Sequence, residues 1–124
     1  MKFLIAGLGS IGRRHLRNLR ALGQEDILLY RTHQATLPDA ELGDLPTFKE
    51  LGLALAEKPD GVIVANPTAL HLEVAMAAAR AGAALLIEKP VSDSLAGLGE
   101  LQSALAQSGK PAMVGFHFRF HPVL

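Results

Sequence analysis

Cysteine and tryptophan are missing from this chain of 124 residues, and tyrosine occurs once. The lack of cysteine excludes a disulfide scaffold, a thiolate metal site and a cysteine nucleophile, and it fits a reducing compartment. A charge of one sign is missing too: 12 Lys and Arg balance 12 Asp and Glu, which removes any broad electrostatic case for a nucleic acid or an acidic membrane as partner. No run approaches the roughly 18 uninterrupted apolar residues of a membrane span. The N-terminus passes from Met1-Lys2 into Phe3-Leu4-Ile5-Ala6 and then glycine, without the length or cleavage pattern of a secretory signal. Together these absences point to a cytoplasmic protein. What is plentiful is apolar surface. With 49% hydrophobic and 19% charged residues, the chain has ample material for one packed core and is far too apolar for disorder.

Short runs rich in Val, Ile and Leu stand at Phe3 to Ala6, Ile27 to Tyr30, Val62 to Ala65 and Leu85 to Ile87, with a fifth at Ala112 to Gly115. None alternates cleanly between apolar and polar, as expected of strands covered on both faces. Helical signals lie between them. Ile11, His15, Leu16, Leu19 and Leu22 recur at helical spacing and stop at Gly23, a residue suited to the left-handed close of a helix. Thr47 with Glu50 reads as a capping box for a helix running to about Glu57. Thr68 is placed to cap an alanine-rich helix from Ala69 to Ala81 closed by Gly82, and Ser92 or Asp93 to start another that ends before Gly109. Thr32 to Pro46 is irregular, interrupted by Pro38, Gly43 and Pro46, with room for a degenerate helix and a short edge strand near Leu45 to Phe48. This alternation predicts an α/β fold: a doubly wound parallel sheet of order 3-2-1-4-5-6, helices on both faces, in one domain without repeat or linker.

Gly7-Leu8-Gly9-Ser10-Ile11-Gly12 falls where the first strand gives way to the first helix. Glycines gather in turns for many reasons, so G-x-G-x-x-G alone is weak; in a strand-turn-helix setting it is the fingerprint of a dinucleotide-binding Rossmann fold. Gly7 permits the tight turn, Gly9 lets backbone approach a pyrophosphate, and Gly12 lets helix pack on strand, while the free amides near Ser10 and Ile11 face the anion. The fingerprint usually continues, about 20 positions on, with an acidic residue that takes the ribose hydroxyls of NAD. Tyr30-Arg31-Thr32 occupies that place here. A carboxylate would repel a 2′-phosphate, whereas the Arg31 guanidinium can pair with it and lie over the adenine, and the Thr32 hydroxyl can donate to it. NADP is therefore favoured over NAD. Arg13, Arg14, Arg17 and Arg20 read as a solvated helix face, with Arg13 alone near enough to the helix start to help with phosphate. His15 reads as a packed, hydrogen-bonded histidine rather than a catalytic one.

Three later segments follow the ends of expected strands: Asn66-Pro67-Thr68-Ala69-Leu70-His71, Glu88-Lys89-Pro90, and Gly115-Phe116-His117-Phe118-Arg119-Phe120-His121-Pro122. With Gly7 to His15 they resemble, over essentially the whole chain, the N-terminal half of the Gfo/Idh/MocA oxidoreductases, the family of glucose-fructose oxidoreductase and inositol dehydrogenase. The Glu-Lys-Pro tripeptide, at its distance from the P-x-x-x-H helix start, is the most specific part. The resemblance implies a catalytic Lys89 beside the nicotinamide ribose and the reacting hydroxyl, as a proton-transfer or positioning group. It also implies Asn66, Pro67, His71 and Glu88 as residues around the cofactor, with His71 packing and orienting its loop, and a cis bond before Pro90; Arg119, with His117, leaves the last strand toward the substrate side, placed for a cofactor or substrate contact or for a structural role between domains. A lysine accepts a proton at neutral pH only where burial or a neighbouring cation depresses its pKa, so Glu88 could either orient Lys89 or oppose that role. His117 and His121 lack a third ligand, and no metal site is expected.

The same resemblance implies hydride transfer between a nicotinamide and a secondary alcohol of a sugar, cyclitol or related polyol. The protein would continue into a second α/β domain that carries the substrate site and the interface of a homo-oligomer. Residues 1–124 are then the cofactor-binding domain alone, expected to bind cofactor without turnover. Phe116, Phe118 and Phe120, three of the five phenylalanines, would be covered in part by the absent half. Two other readings stay open: a non-catalytic dinucleotide-sensing module, and reduction of an imine or tetrapyrrole on a similar domain.

Overall fold

A computed structural model describes residues 1–33 and 37–123. Residues 34–36 of the irregular stretch, and Leu124, lie outside the described residues. Six strands, β1 (Phe3–Ala6), β2 (Ile27–Tyr30), β3 (Thr47–Phe48), β4 (Gly61–Val64), β5 (Ala84–Ile87) and β6 (Ala112–Val114), form one sheet in the order β3-β2-β1-β4-β5-β6. Every neighbouring pair is parallel. The helices are α1 (Ser10–Ala21), α2 (Leu51–Ala56), α3 (His71–Arg80) and α4 (Leu98–Ser108). The winding direction reverses at β1, which β2 and β4 flank, and a sheet of this kind opens a crevice at that reversal.

Successive side chains of a strand point to opposite faces, and here both faces are buried. Leu4, Ala6, Leu28, Val62, Val64, Leu85 and Ile87 pack with Ala54 of α2, the alanines of α3, and Leu101 and Ala104 of α4. Ile5, Ile27, Leu29 and Ile63 pack on the other face against Leu16 and Leu19 of α1, joined by Leu42 from a 3-10 turn at Asp39–Leu42. Two-sided burial is the physical reason that β2 and β4 are apolar at every position except Gly61. The second face has the thinner cover: Met113, in register with Leu86, stays 61% exposed.

Three expected helix starts are displaced. Thr47 belongs to β3, where its hydroxyl donates to the Leu45 carbonyl (3.1 Å), and α2 begins at Leu51 without a capping box. Parallel pairing wins over the local capping pattern at this point, since Thr47 pairs with Leu29 and the Leu29 amide donates to the Pro46 carbonyl (2.9 Å). Thr68 opens a 3-10 turn, Thr68–Leu70, and makes no cap, so that α3 begins at His71. α4 begins at Leu98 rather than at Ser92 or Asp93, because Gly97 adopts a left-handed conformation (φ +83°) that an α-helix cannot include. The expected closes at Gly23, Gly82 and Gly109 are all found at positive φ.

Leu29 is fully buried between the sheet and α1. Leu29→Ala is expected to cost ~2–5 kcal/mol in urea unfolding; a loss below ~1 kcal/mol would contradict this packing.

Candidate functional site

The three glycines of the first turn do different work. Gly7 has φ +99°, and a Cβ there would sit 2.5 Å from the Asn66 amide nitrogen; a Cβ on Gly12 would sit 1.9 Å from the Gly7 carbonyl oxygen. Packing of β1, α1 and the loop after β4 therefore requires both. Gly9 has an ordinary φ of −71°, and a Cβ there would meet no heavy atom within 4 Å. Open space, not protein, faces it. Gly9 is also the N-terminal cap residue of α1, which has no side-chain cap and no acidic residue in its first turn among the described residues. The first helical bond runs from the Arg13 amide to the Gly9 carbonyl (3.0 Å), so the amides of Ser10 and Ile11 have no partner within the helix. Unpaired amides at the positive end of a helix dipole, beside room for a ligand, suit an anion.

A cleft of about 580 Å³ opens over this turn, within the usual range for ligand pockets, ~300–1,000 Å³. Gly7, Gly9, Ser10 and Ile11 line it from β1–α1, Tyr30, Arg31, Thr32 and His33 from the end of β2, and Asn66, Pro67, Leu70 and Glu73 from the segment after β4. Asn66 donates through Nδ2 to the Leu70 carbonyl (3.3 Å), while its Oδ1 is buried without a partner. A buried acceptor lacking a donor on a cleft residue is the kind of group a bound ligand satisfies. Tyr30 and Glu73 both line the cleft: burial, and secondarily the charge of the Glu73 carboxylate, raise the Tyr30 phenol above its ordinary range. Thr32 is exposed, and its hydroxyl lies 2.9 Å from Nδ1 of His33.

Arg31 lines the cleft with its guanidinium already engaged. Nη1 donates to Oδ1 of Asp39 (2.9 Å) and Nη2 to Oδ2 in a parallel fork. This fork, with a smaller contribution from Arg13, holds the Asp39 carboxyl down at about 2. Arg13 is no part of a solvated face: it is 3% exposed. Its Nε donates to the Leu8 carbonyl (3.0 Å), and its Nη atoms donate to the carbonyls of Pro38 (2.6 Å) and Leu37 (3.2 Å) and to Asp39 (3.3 Å). Arg17 pairs with the Glu41 carboxylate (2.6 Å), and Arg20 donates to the Glu41 carbonyl (2.8 Å). Three of the four arginines of α1 thus grip the segment Leu37 to Glu41. The sequence hides this because their partners lie more than twenty positions away.

Farther along the sheet edge, His71 is 2% exposed, and its ring nitrogens lie 2.7 Å from the Asn66 carbonyl and 2.9 Å from the Pro90 carbonyl. It ties the loop after β4 to the loop after β5 and does not itself line the cleft. The Lys89–Pro90 bond is cis. Glu88 is bonded to Nε2 of His15 (2.7 Å), and a Cβ on Gly115 would come within 3.2 Å of its carboxylate. Lys89 is exposed and lies two residues beyond the end of β5. Arg119, in the 3-10 turn His117–Phe120, is exposed and lies off the cleft. The sequence reading did not assign Leu8, Tyr30, His33, Ala65, Leu70, Glu73 or Val74 to the site, all of which line the cleft. Glu73 had a signal, an acidic residue in the first turn of a helix that rises from the sheet's carboxyl edge.

A family model described as an oxidoreductase family with an NAD-binding Rossmann fold matches residues 1–116. The chain is 33% identical over 126 residues to 4-carboxy-2-hydroxymuconate-6-semialdehyde dehydrogenase of Sphingobium sp., covering 98% of this chain and 40% of that protein. It is 30% identical over 127 residues to scyllo-inositol 2-dehydrogenase (NAD(+)) of Bacillus subtilis, covering 95% and 36%. Among solved structures it superposes with a TM-score of 0.80, at 25% identity, on the WlbA dehydrogenase of Bordetella pertussis in complex with NADH and UDP-GlcNAcA, covering 91% and 36%. The chain thus spans well under half the length of these relatives. No described helix is long and apolar enough to cross a membrane.

Gly9→Val is expected to cost only the ~0.5–1 kcal/mol of a poorer cap residue while weakening binding of a pyrophosphate-bearing ligand about tenfold or more. Gly12→Ala should cost at least ~1–3 kcal/mol of stability. Equal effects of the two on unfolding would contradict the division of roles. Asp39 titrates lower in the folded chain than its ordinary 3.8, so its contribution is present above pH ~4 and is lost as pH falls toward ~2. Asp39→Asn should therefore lose less stability than the parent across that interval in acid-unfolding curves.

Proposed function

The chain belongs to the Gfo/Idh/MocA oxidoreductase family with its NAD-binding Rossmann fold, and on that premise we propose that it is the nicotinamide-dinucleotide-binding domain of a dehydrogenase acting on a secondary alcohol of a sugar, cyclitol or related polyol, with NADP favoured over NAD. The observation that carries this reading is the cradle at Gly9, open where Gly7 and Gly12 are closed off by protein. The amides of Ser10 and Ile11 receive the pyrophosphate. Arg31 and Thr32 take the 2′-phosphate and the adenine side, where β2 itself ends without a carboxylate. Asn66 and Pro67, braced from beneath by His71, shape the wall toward the second ribose.

Glu88, Lys89 and Arg119 serve the nicotinamide end. Bound in this cleft, the dinucleotide supplies the hydride chemistry. Lys89 holds or moves the proton of the reacting hydroxyl, and Glu88, fixed by His15, steadies the strand end that carries it. Substrate recognition and assembly into a homo-oligomer belong to a further α/β domain, in keeping with the 36–40% of each relative's length that this chain covers. That domain would cover Phe116, Phe118 and Phe120, which are 60–78% exposed. The polyol class follows the inositol and UDP-sugar ligands in the names of the relatives.

Calorimetric titration of the chain should give NADPH an affinity about tenfold above that of NADH; equal or reversed affinities would remove the case for NADP. In the full-length protein, Lys89→Ala should leave dinucleotide affinity within about threefold and lower kcat by about a hundredfold or more. Unchanged turnover would deny Lys89 its role.

A further inference from the structure

The fork between Arg31 and Asp39 is the geometry a guanidinium would offer a phosphate. Arg31 lines the cleft and Asp39 does not, so the guanidinium stands between the ligand space and an internal anion. We propose that Asp39 is a specificity determinant of this site, an internal anion that occupies Arg31 in place of a 2′-phosphate and gives it up when NADP binds. The inference rests on the dinucleotide reading above and adds to it a residue that limits the preference for NADP.

Two features support an exchange rather than a permanent pair. Asp39 has a second cation within reach, Nη2 of Arg13 at 3.3 Å, so that its charge remains paired when Arg31 turns to a ligand. Arg13 itself is fixed by the carbonyls of Leu8, Leu37 and Pro38, which keeps Asp39 and its turn in place throughout. Arg31 has five N–H donors, and the fork uses two of them. A phosphate that joined the free donors without displacing Asp39 would put two anions on one guanidinium, and they would repel. By either route the Asp39 charge opposes a 2′-phosphate and is indifferent to a 2′-hydroxyl. With NAD the fork remains closed.

The test is the ratio of NADPH to NADH affinity in four proteins: the parent, Asp39→Asn, Arg31→Ala, and the double variant. Asp39→Asn keeps the side chain's size and an acceptor oxygen but removes its charge. It should tighten NADPH by about tenfold and leave NADH within about threefold. Arg31→Ala should bring the two nucleotides to similar affinity, and adding Asp39→Asn to it should change nothing more. In the parent chain, which needs no variant to fold, the Asp39 carboxyl carbon resonance should move on addition of NADPH and stay in place on addition of NADH. An unchanged ratio in Asp39→Asn, or an Asp39 resonance that responds alike to both nucleotides, would overturn the inference. A parent chain that binds neither nucleotide would overturn the dinucleotide reading itself, and this inference with it.

Discussion

The Gly7 carbonyl oxygen lies 1.9 Å from the point where a side chain on Gly12 would begin, and that closeness orders much of what surrounds it. Strand and helix meet there with only backbone between them, so β1 ends and α1 starts within four residues. The tight turn leaves the Ser10 and Ile11 amides unpaired at the reversal point of the sheet, where β2 and β4 diverge on either side of β1. The same approach holds the loop after β4 against Gly7, at the Asn66 amide. Sterics build the floor of the cleft before any polar group is considered.

The arginines of α1 then connect that floor to the end of the cleft lined by Arg31. Arg13 bridges the Leu8 carbonyl to the segment Leu37 to Asp39, while Arg17 and Arg20 hold Glu41. The exposed members of this network add little stability individually. Their consequence is positional, because a segment interrupted by proline and glycine is fixed against α1 and delivers Asp39 to Arg31. At the other end, His71 and the His15–Glu88 pair tie the loops after β4 and β5 to buried structure. Side chains of the fold proper thus brace both ends of the cleft.

Much of this was legible in the sequence. Strands buried on both faces read as unbroken apolar runs, and strand order followed from their alternation with helices. The glycine fingerprint located the turn, and even the short edge strand at Thr47–Phe48 was foreseeable from the apolar residues between two interruptions. Helix starts were less legible, because the polar residues that cap helices also suit turns and edge strands. Thr47 was claimed by pairing with Leu29, and Gly97 moved the start of α4 through its left-handed backbone. Arg13 was misread because residue type suggests solvent, whereas its partners are carbonyls brought near only by the fold. The place of Arg31 at the end of β2 was legible, but Asp39, its partner across an irregular stretch, was not.

The central claim is that a dinucleotide lies across the start of α1. A crystal structure of the chain grown with NADPH tests it most directly. Pyrophosphate oxygens within about 2.7–3.2 Å of the Ser10 and Ile11 amide nitrogens, with the adenosine end toward Arg31, is the result expected. A nucleotide seated elsewhere, or an empty cleft at saturating nucleotide, would contradict it.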